Sequence, residues 1–89
     1  MKDTYLEVTF RKGKPFAAYL HLPRAQGVKS VRTKKAAPGI LVDYSNADDP
    51  IGIEITAPTK VNAKQINAVL KTIGLTAISP ADLAPLRAA

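Results

Sequence analysis

The stretch LVDYSNADDPIGIEI, residues 41–55, decides the fold of this chain. Apolar residues fall at every second position on both sides of the turn SNADDP, at Val42 and Tyr44 before it and at three isoleucines after it. A period of two is typical of a strand that buries one face, and Asn, Asp and Pro are common turn residues. The stretch therefore predicts an antiparallel hairpin with an isoleucine-rich inner face.

The hairpin also concentrates acid in an otherwise basic chain, at Asp43, Asp48, Asp49 and Glu54. A calcium loop that began at Asp43 would need oxygen ligands at its third and fifth positions and glycine at its sixth. The fifth position is Ala47 and the sixth is not glycine. A transition-metal site favours histidine or cysteine, and the chain has no cysteine and a single histidine, His21, in another strand. We therefore expect a solvated hairpin with acids on its turn and outer face, and no metal or cofactor site.

Three further strands precede this hairpin. YLEVTF (residues 5–10) and PFAAYLHL (residues 15–22) alternate on either side of the turn RKGK, where Gly13 is free to take positive φ. VKSVRTKK (residues 28–35) is a weaker strand because its two valines cannot share a face. Five strands with short connections predict an antiparallel meander over about residues 4–57.

The apolar period then changes to that of a helix. One stripe of the segment VNAKQINAVLKTIGL holds the apolar residues Ile66, Val69, Leu70 and Ile73. Asn62 and Gln65 have the spacing of a capping box, and Gly74 suits the end of the helix. SPADLAPL, from Ser79, predicts a short terminal helical turn that Pro85 limits to about one turn.

These elements predict a single α+β domain over residues 1–89, with the sheet at about 4–57 and a helical tail at about 59–86. The helix should cover one face of the sheet, and the chain is too short for a second core. The expected core consists of Leu6, Val8, Phe10, Leu20, Leu22, Val42, Ile51, Ile53, Ile55, Ile66, Val69, Leu70 and Ile73.

The net charge of +6 is unevenly distributed. Residues 1–35 hold nine of the thirteen Lys and Arg residues against two acids. Such an asymmetry favours an anionic partner. The candidate contacts to phosphates lie near turns and a strand edge, at Arg11, Lys12, Lys14, Arg32, Lys34 and Lys35. The chain has no Trp and no basic–aromatic alternation, so nucleic-acid binding through these residues should be weak, salt-sensitive and independent of sequence.

Strand parity places several groups with acid–base chemistry on the outer face of the sheet: Tyr5, Glu7, Tyr19, His21, Asp43 and Glu54. A carboxylate beside a histidine supports general acid–base catalysis. No nucleophile motif, glycine-rich phosphate loop or metal-ligand spacing accompanies these residues, and an exposed sheet face ordinarily carries such side chains. We therefore expect no catalytic residue and no enzyme.

The motifs FAAYLHL, GILVDY, SNADDP and IGIEI resemble those of the small bacterial proteins grouped as domain of unknown function 2283. The resemblance covers about residues 5–56 and implies a small meander sheet, without transferring a catalytic residue. This chain departs from the family in its basic first turn, RKGKP, and in the capped helix after Pro58.

The function expected from the sequence is a non-catalytic protein-interaction or regulatory module, with a weak nucleic-acid binder as the alternative. The expected partner is another protein, bound through the sheet, or a second copy of the chain, with the dimer contact on the face that bears Tyr5 and Tyr19. The start of the chain has no apolar region typical of a secretory signal, and no apolar run approaches the roughly 18 residues of a membrane helix. A cytoplasmic protein without a membrane contact is the expectation.

Overall fold

The computed structural model describes residues 4–24, 27–79 and 81–87, with the side chain of Arg87 left aside. These residues form a five-stranded antiparallel sheet, one α-helix and two short 3-10 helices, which confirms the α+β class. The strands are β1 (Tyr5–Arg11), β2 (Lys14–His21), β3 (Arg32–Ala37), β4 (Ile40–Tyr44) and β5 (Pro50–Ile55). The helices are the first 3-10 helix (Pro58–Lys60), α1 (Ala63–Thr72) and the second 3-10 helix (Ala84–Arg87).

The strand order is β1-β2-β5-β4-β3, so β2 pairs with β5 instead of β3. A simple meander would pair the strands in chain order, and the structure differs from that expectation at this one junction. The reason lies in composition. β5 is mostly buried and occupies the centre of the sheet, whereas β3 is exposed along almost its whole length and lies at an edge. A polar, lysine-bearing strand suits an edge because it discourages further strand pairing there.

β3 also begins later than the sequence predicts. Val28 and Val31 lie in the connection before the strand, and Val31 is 62% exposed. Their opposite parity gives the segment no apolar face to bury, so pairing with β4 starts at Arg32, opposite Tyr44.

One cluster of buried side chains joins the inner face of the sheet to the helices. Of the predicted core residues, those that are buried are Leu20, Leu22, Val42, Ile51, Ile53, Ile55, Ile66, Val69 and Leu70. Leu6, Val8 and Ile73 are partly buried against the cluster. The tail adds two buried leucines, Leu83 and Leu86.

Phe10 is the member of the predicted core that the structure contradicts, because it is 49% exposed. The β1–β2 register shifts between Thr9 and Phe10, which breaks the alternation at that point. Pairing between β2 and β5 also stops at Ala18, so no third strand flanks the hairpin beside Phe10.

The helix start is as predicted. Asn62 Oδ1 accepts a hydrogen bond from the Gln65 backbone N–H at 2.8 Å, and Gln65 Oε1 accepts one from the Asn62 N–H at 2.8 Å. Gly74 follows the helix with φ of +80°, the left-handed conformation that glycine adopts without strain. In the tail, Ser79 Oγ accepts from the Asp82 N–H at 3.3 Å. Pro85 does not end the turn, because it lies inside the second 3-10 helix.

No helix in the described part of the chain is long and apolar enough to span a membrane.

Candidate functional site

The outer face of the sheet, opposite α1, carries a continuous row of cross-strand partners. Its members come one from each strand and are named here the outer row: Tyr5, His21, Gly52, Asp43 and Thr33. The neighbouring row on the same face is Glu7, Tyr19, Glu54, Leu41 and Lys35. α1 and the second 3-10 helix pack on the inner face, so the candidate site lies on the face that they leave open.

Asp43 is the buried anchor of the outer row. The Tyr19 hydroxyl donates to Asp43 Oδ2 at 2.8 Å, and the Thr33 hydroxyl donates to Oδ1 at 2.6 Å. Asp43 as a whole residue is only 9% exposed, and burying a charge is costly unless hydrogen bonds compensate it. The prediction that Asp43 is solvated is therefore wrong. Two hydroxyl donors compensate the burial of its carboxylate.

Gly52 makes this bond geometrically accessible. A Cβ atom on Gly52 would lie 1.8 Å from Tyr19 Oη and 2.2 Å from Tyr19 Cζ. The phenol ring therefore crosses β5 through the space above a glycine and reaches Asp43 on the far side. An isolated glycine inside a strand commonly marks such a close approach. Gly52 in IGIEI is therefore a signal that the sequence analysis missed and that could have pointed to the site.

The phenol of Tyr19 is held in its neutral form. Burial raises the pKa of Tyr19 well above its ordinary value, and the hydrogen bond to Asp43 and the charge of that carboxylate raise it further. Arg24 opposes this shift without cancelling it. The hydroxyl thus remains a proton donor to Asp43.

His21 lies between two tyrosine rings. The Tyr5 ring stacks on the imidazole at a centroid distance of 4.2 Å, and Tyr19 meets it edge-on at 4.7 Å. Nε2 makes a hydrogen bond of 2.8 Å with Glu7 Oε1, whose side chain is 65% exposed. Nδ1 is buried and has no hydrogen-bond partner among the described residues. The imidazole is thereby held between the two rings, with Nε2 at the acid and Nδ1 buried.

The polar side chains of the outer face are hydrogen-bonded to one another. Both oxygens of Asp43 accept from protein hydroxyls, and His21 Nε2 is engaged by Glu7. Within residues 4–24, 27–79 and 81–87, no three His, Cys, Asp or Glu side chains come together as a metal site would require. The arrangement favours a rigid, preorganised surface.

The structure does not bring the six candidate phosphate contacts together. Arg11, Lys12 and Lys14 lie on the β1–β2 hairpin, whereas the other three lie on β3, at the opposite edge of the sheet. Lys34 pairs with the inner-face residue Val42, and Lys35 pairs with Leu41, so these two lysines point to opposite faces.

Arg32 is already engaged within the protein. Its guanidinium pairs with Asp48 and lies 4.8 Å from the centroid of the Tyr44 ring. Asp48 takes φ of +65° in the β4–β5 turn, where Ser45 Oγ accepts the Ala47 and Asp49 N–H groups. The turn acids therefore have the structural role that the sequence predicts.

The likeness to the domain of unknown function 2283 rests on short strand and turn motifs, which the structure places on β2, β4, β5 and the β4–β5 turn. The likeness stays a prediction. Comparison of the chain with protein-family models, with curated proteins and with solved structures finds no significant match.

Proposed function

We propose that this chain is a non-catalytic protein-interaction module that docks a partner protein on the outer row. The observation that carries the proposal is the stack of Tyr5, His21 and Tyr19 on the open face, in which Tyr5 remains 44% exposed. Tyrosine is enriched at protein interfaces because its ring supplies apolar area and its hydroxyl supplies a polar contact. A cytoplasmic location, expected from the sequence, is part of the same proposal.

Preorganisation supports this role. Binding costs free energy when side chains become ordered at the interface. On this face that ordering is already present, because Tyr19, from the neighbouring row, is hydrogen-bonded to Asp43 and His21 is held by Glu7. A partner therefore meets a platform whose aromatic rings are fixed before contact.

The charges on this face indicate the chemistry of the partner. Glu7 and Glu54 lie on either side of Tyr19 in the neighbouring row. An arginine or lysine side chain fits such a place, because it can stack on the exposed Tyr5 ring and approach a carboxylate. The proposed partner is a protein that presents a basic side chain at the centre of its contact surface.

Site-specific photo-crosslinking in cells tests the proposal. A photoreactive phenylalanine analogue at position 5 should give discrete protein adducts, whereas the same group at Lys64 should not. Lys64 is exposed on α1 and lies on the other side of the molecule, so it is a matched control. The adducts should disappear when Glu7 and Glu54 are both changed to Lys, and persist when Asp49, an exposed turn acid, is changed to Lys.

Equal crosslinking from both positions, or adducts that survive the Glu7→Lys, Glu54→Lys variant, would contradict the proposal. Adducts of the chain with itself, accompanied by sedimentation as a dimer, would identify a second copy as the occupant of the outer row.

A further inference from the structure

We propose that the end of the β1–β2 hairpin binds single-stranded nucleic acid, at a site separate from the outer row. The site, named here the hairpin tip, comprises residues 10–16. It lies at the end of the sheet opposite the loop that follows His21, and it goes beyond the protein-docking role proposed above.

The hairpin tip projects beyond the five-stranded sheet. β2 pairs with β5 from Ala18 to His21, so the segment before Ala18 pairs with β1 alone. Lys12 and Gly13 form the turn with φ of +53° and +79°, the pair of left-handed residues that is characteristic of a tight two-residue hairpin turn. Apart from Pro15, which is buried, the residues of the hairpin tip are exposed.

The hairpin tip is strongly cationic. Arg11, Lys12 and Lys14 are all exposed, and residues 8–22 contain no Asp or Glu to neutralise them. The tip therefore presents three cations within four residues. Phosphates are the partners that such a cluster attracts, through release of counterions from the nucleic acid.

Two aromatic side chains accompany these cations. Phe10 is 49% exposed and Phe16 is 54% exposed, which makes them two of the four exposed large apolar residues in the described chain. The Arg11 guanidinium lies 5.4 Å from the centroid of the Phe16 ring. Exposed aromatic rings beside cations are the elements that single-strand binders use, the rings for stacking on bases and the cations for phosphates.

The arrangement favours single-stranded nucleic acid over a nucleic-acid duplex and over an anionic membrane. In a duplex the bases are already stacked on one another, so exposed phenylalanine rings gain little there, whereas unpaired bases offer a free face. A membrane that met the tip end-on would face Lys12 and Gly13, the outermost residues of the hairpin, instead of apolar ones. Inserting the ammonium group of Lys12 below the lipid headgroups is costly.

Fluorescence anisotropy with the full chain tests the inference. The probes are a labelled mixed-sequence single strand, the same sequence as a duplex, heparin, and vesicles of anionic and zwitterionic phospholipid. The variants are Phe16→Ala, Lys12→Glu and the charge-matched control Lys29→Glu. Lys29 is exposed in the loop after β2, at the opposite end of the sheet. Tyr5→Ala serves as the control for the outer row.

The single strand should bind most tightly at low salt. Phe16→Ala should weaken that binding by roughly tenfold, as expected for the loss of one stacked base. Lys12→Glu should weaken it too and reduce the slope of log affinity against log salt by about 0.7 or more, the contribution of one phosphate contact on a single strand. Lys29→Glu and Tyr5→Ala should change the affinity much less than Lys12→Glu.

Several outcomes would overturn the inference. One is an unchanged affinity of Phe16→Ala for the single strand, and another is the absence of any binding at low salt. The others are a duplex or heparin that binds as tightly as the single strand, and vesicles that bind more tightly than it. Circular dichroism of each variant confirms that it is folded. Phe16 is exposed and Lys12 lies in a turn, so neither substitution removes a core contact.

Discussion

The phenol of Tyr19 occupies the space that the missing side chain of Gly52 leaves open. The two residues lie on adjacent central strands, and a Cβ atom at position 52 would lie 1.8 Å from Tyr19 Oη. Gly52 thereby controls whether the Tyr19 hydroxyl can reach Asp43, at 2.8 Å.

Gly52→Ala should lower the free energy of unfolding by about 2–4 kcal/mol. The added methyl group displaces a ring in a packed site, and the buried Asp43 carboxylate loses a donor. Urea unfolding measures the change. In a Tyr19→Ala background the same substitution should cost much less, because the ring is no longer there. Equal costs in the two backgrounds would show that the clash with Tyr19 is not the cause.

Tyr19→Phe isolates the hydrogen bond from the ring. The variant keeps the stack on His21 but leaves Asp43 Oδ2 without its donor, and should cost about 1–3 kcal/mol. Tyr5→Phe is the matched control, because Tyr5 is 44% exposed and should cost less than about 0.5 kcal/mol. Similar small losses in both variants would mean that the Tyr19–Asp43 bond contributes nothing to stability.

The raised pKa of Tyr19 predicts a loss of stability in alkali. The hydroxyl is protonated in both folded and unfolded chains below its ordinary pKa of about 10, so it adds no pH dependence there. Above that pH the unfolded chain loses the proton and the folded chain keeps it, and the free energy of unfolding therefore falls as pH rises. Ultraviolet titration of tyrosinate should show one of the three tyrosines ionising late. Tyr19→Phe should remove that late step and flatten the alkaline stability profile.

Leu70→Ala tests the position of α1 over the sheet. Leu70 is 1% exposed and belongs to the core cluster, so its truncation should cost about 2–5 kcal/mol. Lys71→Ala, at the next and exposed position, should change the free energy of unfolding by less than about 0.5 kcal/mol. A loss at Leu70 as small as that at Lys71 would contradict the packing of this helix face.

Local signals predicted most of the elements. The capping box of Asn62 and Gln65, the turn at Gly13 and the alternation of β5 each depend on residues a few positions apart, and all three are confirmed. α1 packs on the isoleucine-rich face because the helix and the sheet each carry an apolar surface, and each surface covers the other.

Pairing between distant segments was harder to predict. No residue near β2 in the sequence indicates that β2 pairs with β5. The strand that pairs with β2 is decided by which strand tolerates burial on both faces. The burial of Asp43 has the same origin. Its donors come from Thr33 and Tyr19, ten and twenty-four positions away, so its parity alone predicted a solvated acid.

The pairing of β2 with β5 has a consequence for the order of events during folding. Leu20 finds its strand partner only at Ile53, and closing a long loop costs entropy before any contact repays it. A lone hairpin is marginally stable in water, and β1 and β2 lack a third strand until β5 is available to join them. During synthesis the N-terminal third of the chain therefore completes its sheet pairing only after the ribosome has released the isoleucines of β5.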